Sequence, residues 1–355
     1  MKASVDVLIA TGGTGGHIFP ALSCGDFFEK NGVKVLYLLA GSKIGELDRE
    51  NVIYINSQHF EKKPVKFIKA SYYLLVNFFR CLILLKKKKP CVIFATGSYA
   101  VAPVLAASIC LRTPFYLLEQ NVIPGIVNKY FARFAKGTFI AFEASKKYIK
   151  GNVILSGLPL RNEAKRKLTK EESRNLLGLP KEKVIVLVIG GSLGAKGMVE
   201  KIMPYVEEFH EFFFIIQTGQ RNFDYFKNFV SKKKIENCLL YPFTKEIGLY
   251  YSAADIIISR AGASACMEIA FHEKPAILVP YPYSRDKHQY YNAKTLEDAG
   301  TAVIIDESNL ELSLRSYLSD LSWAYKRKTV PKMFLHDPES IIFTEIRKNA
   351  NCKKI

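Results

Sequence analysis

The 355-residue sequence contains no C-x-x-C pair. Its cysteines, Cys24, Cys81, Cys91, Cys110, Cys238, Cys266 and Cys352, are odd in number and scattered. That argues against a disulfide framework or a zinc site and leaves reduced, mostly buried thiols as the expectation. No cleavable apolar stretch precedes the first strand-like run, because Met1-Lys2 leads almost directly into Val5–Ala10; on that ground the chain is expected to stay in the cytosol. Nor is there an unbroken apolar run of about 20 residues, the length a spanning helix needs. The nearest approach, Ala70 to Leu85, is interrupted by Asn77 and Arg80.

Acidic residues are also locally missing. From Lys62 to Leu118 there are ten basic residues and no acidic one. Residues 1–160 hold 21 Lys and Arg against 9 Asp and Glu, which places +12 of the formal +18 in that part of the chain. A basic face can meet nucleic acid, anionic lipid or a phosphorylated substrate. No nucleic-acid-binding motif is present, and the aromatic residues lie in one greasy run, so nucleic acid is not an expected partner. That run, Phe67–Leu85 followed by Lys86–Lys89, fits an interfacial helix over about 66–89 lying on anionic lipid. Each basic residue near such a surface adds about 1 kcal/mol. The competing reading is a buried domain helix ending in a solvated charge run.

What is present is a repeated plan. Hydrophobic residues make up 49% of the chain, enough for a core in each half. Val5–Ala10, Val33–Leu39, Val92–Ala95, Phe115–Leu118, Phe139–Phe142 and Val153–Leu155 read as strands between helical stretches. A helix pattern runs from about Pro20 to Lys30 and a small-residue helix lies near Ala100–Ile109. The plan restarts after Arg161. Residues 162–182 read as polar and helical. The strands Val184–Ile189, Phe212–Gln217, Cys238–Tyr241, Ile256–Ser259, Ala276–Val279 and Ala302–Ile305 follow. Such alternation implies α/β domains with parallel sheets. The expected division is 1–160 and 161–336, with 337–355 packing back on the first domain. The two doubly wound domains are expected to face a cleft, with ligands beyond the carboxyl ends of the strands.

Each half opens on a glycine-rich turn between strand and helix. The first is Thr11-Gly-Gly-Thr-Gly-Gly-His17 and the second Gly190-Gly-Ser-Leu-Gly194-Ala195. Bare backbone amides at a helix start suit a phosphate. The first loop is not a dinucleotide fingerprint. From Gly13 the last glycine position is Ile18, and the second strand ends Leu39-Ala40-Gly41 with no acid for a ribose. It is not a P-loop, because no Gly-Lys-Ser/Thr follows. A histidine at the tip of such a loop, His17, could face an anion or an attacking hydroxyl.

These motifs come with others in a specific order: Pro20-Ala21, Gly97-Ser-Tyr99 with Ala102-Pro103, Glu119-Gln-Asn121 with Pro124-Gly125, and Gly157-Leu-Pro-Leu-Arg161. The second half adds Ser259-Arg-Ala-Gly-Ala-Ser264 with Glu268, and His288-Gln289 with Asn292-Ala293. Over nearly its whole length the chain resembles the bacterial MurG family, the UDP-N-acetylglucosamine:N-acetylmuramyl-(pentapeptide) pyrophosphoryl-undecaprenol N-acetylglucosamine transferases. The resemblance implies two Rossmann-like domains of the glycosyltransferase B type, an acceptor- and membrane-binding first half and a UDP-sugar-binding second half. Carried over by position, Glu268 would hold the ribose hydroxyls and the chain at Phe243-Thr244 would meet the uracil. Gly262, Ala263 and Ser264, with Arg161 and Ser192, would meet the diphosphate, and His288, Gln289 and Asn292 would read the sugar. Thr14, Gly15, Gly16 and Asn121 would also reach UDP-N-acetylglucosamine. Gly12, Gly13, Thr14, His17 and Tyr99 would hold the acceptor diphosphate. The implied partners are UDP-N-acetylglucosamine and an undecaprenyl-diphosphate-linked muramyl peptide. The implied location is peripheral, at the cytoplasmic face of the bacterial inner membrane, in peptidoglycan synthesis.

The implied chemistry is a single displacement at the anomeric carbon, with inversion. One group takes a proton from the acceptor 4-hydroxyl and fixed dipoles steady the departing UDP. His17 is the first choice for base and Glu119 the second. No D-x-D motif appears, and Asp48 and Asp255 are isolated. No obligatory cofactor or metal is therefore expected, with a divalent cation at most stimulatory. Two departures stand out: Leu193 where the family commonly has Gln, and Ala265 where it has Thr. They keep alternatives open, namely another B-type transferase acting on a membrane glycolipid, or a non-catalytic lipid-docking relative. A UDP-sugar epimerase is a related class, and a dinucleotide oxidoreductase is the rival that the glycine spacing disfavours.

Overall fold

The computed structural model describes residues 5–41, 49–56, 64–191, 194–325 and 337–349. The chain divides into two compact units, Met1–Pro159 with His336–Ile355, and Leu160–Leu335.

The first unit is built on a seven-stranded sheet. Its strands are β1 (Val7–Gly12), β2 (Val35–Ala40), β3 (Val52–Ile55), β4 (Val92–Ala95), β5 (Phe115–Glu119), β6 (Gly137–Ile140) and β7 (Val153–Leu155). They run in the order β3-β2-β1-β4-β5-β6-β7 and every pairing is parallel. β1, β2, β4, β5 and β6 are buried at every position. That is why they read as continuous apolar runs rather than as alternation. The helices here are α1 (Gly15–Lys30), α2 (Pro64–Lys88), α3 (Ala102–Cys110) and α4 (Ile126–Phe131). The strand order reverses between β1 and β4, which marks the ligand crevice of a doubly wound sheet.

α1 begins at Gly15, five residues before the start expected at Pro20. The second glycine pair and His17 are thus already its first turn. Pro20 then lies inside the helix, past its first turn, where it has no N–H to offer the Gly16 carbonyl.

The second unit has a six-stranded sheet of β8 (Val184–Ile189), β9 (Phe212–Gln217), β10 (Cys238–Tyr241), β11 (Ile256–Ser259), β12 (Ala276–Leu278) and β13 (Ala302–Ile304). The order is β10-β9-β8-β11-β12-β13, again wholly parallel, with the reversal between β8 and β11. Its helices are α5 (Asn162–Lys165), α6 (Lys170–Leu177), α7 (Lys196–Glu208), α8 (Phe223–Lys233), α9 (Ile247–Ala253), α10 (Ala263–Phe271), α11 (His288–Asp298), α12 (Leu310–Ser319) and α13 (Ser322–Tyr325). The segment 162–182, read as polar and helical, holds two helices, α5 and α6. A capping box, Thr169 with Glu172, restarts it as α6. A last helix, α14 (Pro338–Asn349), belongs to the first unit. Phe343 packs on Phe27 and Phe28 of α1 at 5.7 and 5.5 Å, and Ser23 donates to Glu339 at 2.6 Å.

Cys24, Cys81 and Cys266 are buried free thiols and Cys110 is exposed. Cys91 is disulfide-bonded, which corrects the expectation of reduced thiols throughout. Scatter along the sequence says nothing about which sulfurs the fold brings within bonding reach.

Candidate functional site

In the first unit, three loops meet at the carboxyl ends of β1, β4 and β5. A Cβ on Gly12 would run into the carbonyl oxygen of Ala40 on the neighbouring strand, so only glycine closes β1 this tightly. The chain then turns through Gly13 and enters α1 behind Thr14, whose side chain makes no capping bond. The first-turn amides of Gly15 and Gly16 have no intrahelical acceptor, while that of His17 donates to the Thr14 carbonyl at 3.0 Å. Gly13 lies against Ser98. Ser98 caps the short 3-10 turn that opens with half-buried Tyr99, accepting from the Ala100 amide at 3.3 Å.

His17 is half-buried, and its Nδ1 lies 2.6 Å from the Thr96 carbonyl. A carbonyl only accepts, so Nδ1 carries the proton and the neutral ring has its lone pair on Nε2. The Thr96 carbonyl also accepts from Gln120 Nε2 at 3.0 Å, and the Thr96 hydroxyl donates to Thr11 at 2.7 Å. The loop after β4 therefore sets both the tautomer and the direction of the ring.

Glu119, the last residue of β5, is buried. Its Oε1 accepts from the Asn121 amide at 2.9 Å, and its Oε2 from the Gly125 amide at 2.9 Å and Asn128 Nδ2 at 2.8 Å. Burial raises its pKa above the usual carboxylate range, and those donors oppose the rise. The carboxylate thus ties the ends of the 119–128 loop together. Asn121 sits in that loop, with its carbonyl accepting from Ser145 at 3.0 Å.

In the second unit, α10 starts at Ala263 behind Gly262, which has no side chain to cap it. The amides of Ala263, Ser264 and Ala265 have no intrahelical acceptor, and the first helical bond runs from Cys266 to the Gly262 carbonyl at 2.9 Å. Open space surrounds the Cα of Gly262. One turn on, buried Glu268 faces Arg161, with Oε1 3.5 Å from the guanidinium, and accepts from the Tyr251 hydroxyl on Oε2 at 3.0 Å. Burial pushes the Glu268 carboxyl above its usual range, against the pull of Arg161 and Tyr251.

Arg260 joins the loop after β12 to this turn. It donates to the carbonyls of Val279 and Pro280 at 3.3 and 3.5 Å, pairs with Glu307 at 3.0 Å and lies over the Tyr281 ring. The Tyr281 amide donates to Gln289 Oε1 at 2.9 Å, His288 Nδ1 donates to the Arg285 carbonyl at 2.8 Å, and Asn292 Nδ2 donates to the Ala261 carbonyl at 3.2 Å. Arg161 and Glu268 thus form one cluster at α10, while Arg260 with Gln289, and Asn292 separately, brace the segment that leads into it. Phe243 is half exposed in the loop after β10, and Thr244 accepts from the Glu246 amide at 2.9 Å. After β8, a Cβ on Gly194 would meet the Thr218 carbonyl, and the Gly194 amide closes a turn on the Gly191 carbonyl at 3.0 Å. Ser192 and Leu193 lie outside the described residues.

Among the described residues no group of three or more His, Cys, Asp and Glu could hold a metal ion. The chemistry on hand is amide dipoles and guanidinium for phosphate, carboxylate for hydroxyls and imidazole for a proton.

The models of the glycosyltransferase family 28 N-terminal and C-terminal domains match residues 7–140 and 185–333. The chain belongs to glycosyltransferase family 28. Family members named UDP-N-acetylglucosamine--N-acetylmuramyl-(pentapeptide) pyrophosphoryl-undecaprenol N-acetylglucosamine transferase resemble it along nearly the whole length. One from Caldicellulosiruptor saccharolyticus is 33% identical, with 96% of each chain covered. One from Aquifex aeolicus is 32% identical, covering 96% of this chain and 99% of the relative. The crystal structure of MurG from Acinetobacter baumannii superposes with a TM-score of 0.77 at 25% identity, covering 97% and 99%. A UDP-GlcNAc 2-epimerase from Neisseria meningitidis has a TM-score of 0.70 at 15% identity, covering 97% of this chain and 100% of that one, a likeness of fold alone.

Several residues of the site did not stand out in the sequence. Asn128, Gln120 and Thr96 hold Glu119 and His17 in place, and Tyr251 and Glu307 do the same for Glu268 and Arg260. Only Gln120 carried a signal, through its place inside Glu119-Gln-Asn121. The others sit in ordinary helical or loop patterns.

Proposed function

We propose that the protein transfers N-acetylglucosamine from UDP-N-acetylglucosamine to the 4-hydroxyl of an undecaprenyl-diphosphate-linked N-acetylmuramoyl pentapeptide, with inversion, in peptidoglycan synthesis. The observation that carries this reading is the near-full-length match to transferases bearing that name, joined to the Arg161–Glu268 pair beside an uncapped helix start. The second unit binds the donor. Glu268 accepts from the ribose hydroxyls, the amides of Ala263 and Ser264 with Arg161 meet the diphosphate, and Phe243 meets the uracil. Gln289, His288 and Asn292 read the sugar. The departing diphosphate is steadied by dipoles already in position, which suits a displacement that needs no enzyme nucleophile. In the first unit the amides of Gly15 and Gly16 hold the acceptor diphosphate, and Nε2 of His17 takes the hydroxyl proton. Glu119 acts by bracing the loop that carries Asn121.

Purified protein supplied with UDP-N-acetylglucosamine and a short-chain muramyl diphosphate lipid should release UDP in step with disaccharide formation. Release with a diacylglycerol acceptor and none with the muramyl lipid would replace this reading with that of a glycolipid transferase. Activity that vanishes in EDTA and returns only with a divalent ion would overturn the metal-independent mechanism.

The acceptor is a membrane lipid, and no described helix is long and apolar enough to cross a membrane. α2 offers a peripheral alternative. Ala70, Asn77, Cys81 and Leu85 face inward, while Tyr72, Leu75, Phe79 and Ile83 are 55–67% exposed. Their spacing of three and four residues puts them on one stripe, with exposed Lys69, Arg80, Lys86 and Lys87 on the same helix. An apolar stripe with basic neighbours suits the surface of an anionic leaflet at the cytoplasmic face of the membrane. Phe79→Glu should weaken co-sedimentation with phosphatidylglycerol vesicles while UDP binding stays intact. Equal sedimentation of both proteins would remove α2 as the docking element.

A further inference from the structure

The Arg161–Glu268 pair is backed by two aromatic side chains. Tyr251 of α9 is fully buried, and its hydroxyl donates to Glu268 Oε2 at 3.0 Å. Its ring stacks on the imidazole of His272, with centroids 5.0 Å apart and planes 10° from parallel. His272, at the end of α10, is buried, and its Nε2 lies 2.7 Å from the Ala164 carbonyl. A carbonyl only accepts, so Nε2 carries the proton. Ala164 lies in α5, and its amide donates to the Arg161 carbonyl at 3.0 Å. Starting from Glu268, the contacts therefore pass through Tyr251, His272 and Ala164 to the backbone of Arg161. Both ends of the ion pair are reached by one stack. Burial, helped by Lys167 and Lys274, holds the His272 imidazole down to about 4, so the ring is neutral near pH 7. It brings no charge to compete with the pair.

Guanidinium and carboxylate left to themselves favour a bidentate, fork-to-fork pairing. Such a pair would consume the groups a nucleotide sugar needs, the carboxylate for hydroxyls and the guanidinium for phosphate. Here one carboxylate oxygen is engaged by the Tyr251 hydroxyl, and the other meets Arg161 at a loose 3.5 Å. We propose that Tyr251 and His272 are positioning residues for the nucleotide-sugar donor, keeping Glu268 and Arg161 aligned but short of mutual bidentate pairing. The proposal rests on the reading that this pair contacts the donor.

Tyr251→Phe keeps the ring and its stack and removes only the hydroxyl. The donor KM should rise about tenfold, equal to 1.4 kcal/mol, and UDP affinity measured by calorimetry should fall in parallel. The kcat and the acceptor KM should stay at the wild-type level, a split that general loosening of the fold would not produce. A second pair of variants serves if that one folds poorly. His272→Gln keeps an N–H to offer Ala164 and His272→Ala does not, so the Gln variant should bind UDP more tightly than the Ala variant. Tyr251→Phe with wild-type donor KM and UDP affinity would overturn the proposal, as would equal weakening in both His272 variants. Absence of UDP binding by the wild-type protein would instead sink the donor-site reading, and the proposal with it.

Discussion

Two buried carboxylates, one in each unit, are kept in place by opposite means. Glu119 is surrounded by amide donors, from Asn121, Gly125 and Asn128. Glu268 has a cation and a hydroxyl, Arg161 and Tyr251. Burial pushes both carboxyls above their usual range. Amide donors that belong to the chain itself make a carboxylate into a clasp, because the loop cannot leave without stranding its N–H groups. A guanidinium 3.5 Å from the carboxylate can exchange that contact for a phosphate, which under the proposed function leaves the acid of the second unit able to meet a ligand. The two units therefore share a strand, glycine turn and helix but hold their buried acids differently, one among amides of its own loop and one between a guanidinium and a hydroxyl.

The comparison predicts different kinetic signatures. The largest belongs to His17, which the first unit's loops aim. His17→Ala should lower kcat by about 10²–10⁴-fold in single turnover, the usual range for a general base, with UDP affinity unchanged by calorimetry. A loss below about tenfold would remove it as the base. Next comes Glu268→Ala, which deletes the acceptor of ribose hydroxyls and leaves Arg161 without that partner. Loss of a hydrogen bond to a charged group, about 1.5–3 kcal/mol, predicts a fall in UDP affinity of about 10- to 150-fold. The wild-type affinity should also fall on acidification. The Glu268 carboxyl is raised by burial, so it protonates above the usual carboxylate range and the charged, two-oxygen acceptor is lost at milder acidity. A donor affinity that stays flat down to the ordinary carboxylate range would place the ribose elsewhere.

Much of this comparison was legible in the sequence. The two glycine turns, the strand cores of Val184–Ile189 and Ile256–Ser259, and the order of the motifs gave two parallel sheets and the family. Val52–Ile55 escaped because an edge strand of four residues, three of them incompletely buried, carries no clear run or alternation. The early start of α1 escaped because glycine pairs read as a turn, yet a phosphate-type loop is partly the first turn of the helix it feeds. Roles within the site were less legible. Glu119 and Glu268 are both single buried acids, and only their partners, brought from as far as Arg161 to Glu268, separate a carboxylate held by its own loop from one paired with a cation. Tyr251 and His272 gave no signal, since a buried aromatic in a helix is ordinarily core.

The subtlest test separates the clasp from the ligand group through pH. In the folded protein Glu119 has a raised pKa, so between the ordinary carboxylate range and that raised value the native state holds more protons than the unfolded chain. Stability from this group is therefore present at low pH and lost as pH rises through the folded value. Glu119→Gln removes the titration. It also turns one acceptor into a donor facing the Asn121 or Gly125 amide, a fixed penalty of about 1–3 kcal/mol. The penalty should not vary with pH, whereas the wild-type contribution should shrink. In urea unfolding, the wild-type advantage over Glu119→Gln should thus be greatest in acid and narrow toward neutral pH, with UDP affinity the same in both proteins. An advantage that widens as pH rises would mean that the amide donors outweigh desolvation and hold the carboxylate charged. The contrast drawn between the two buried acids would then rest on Arg161 alone.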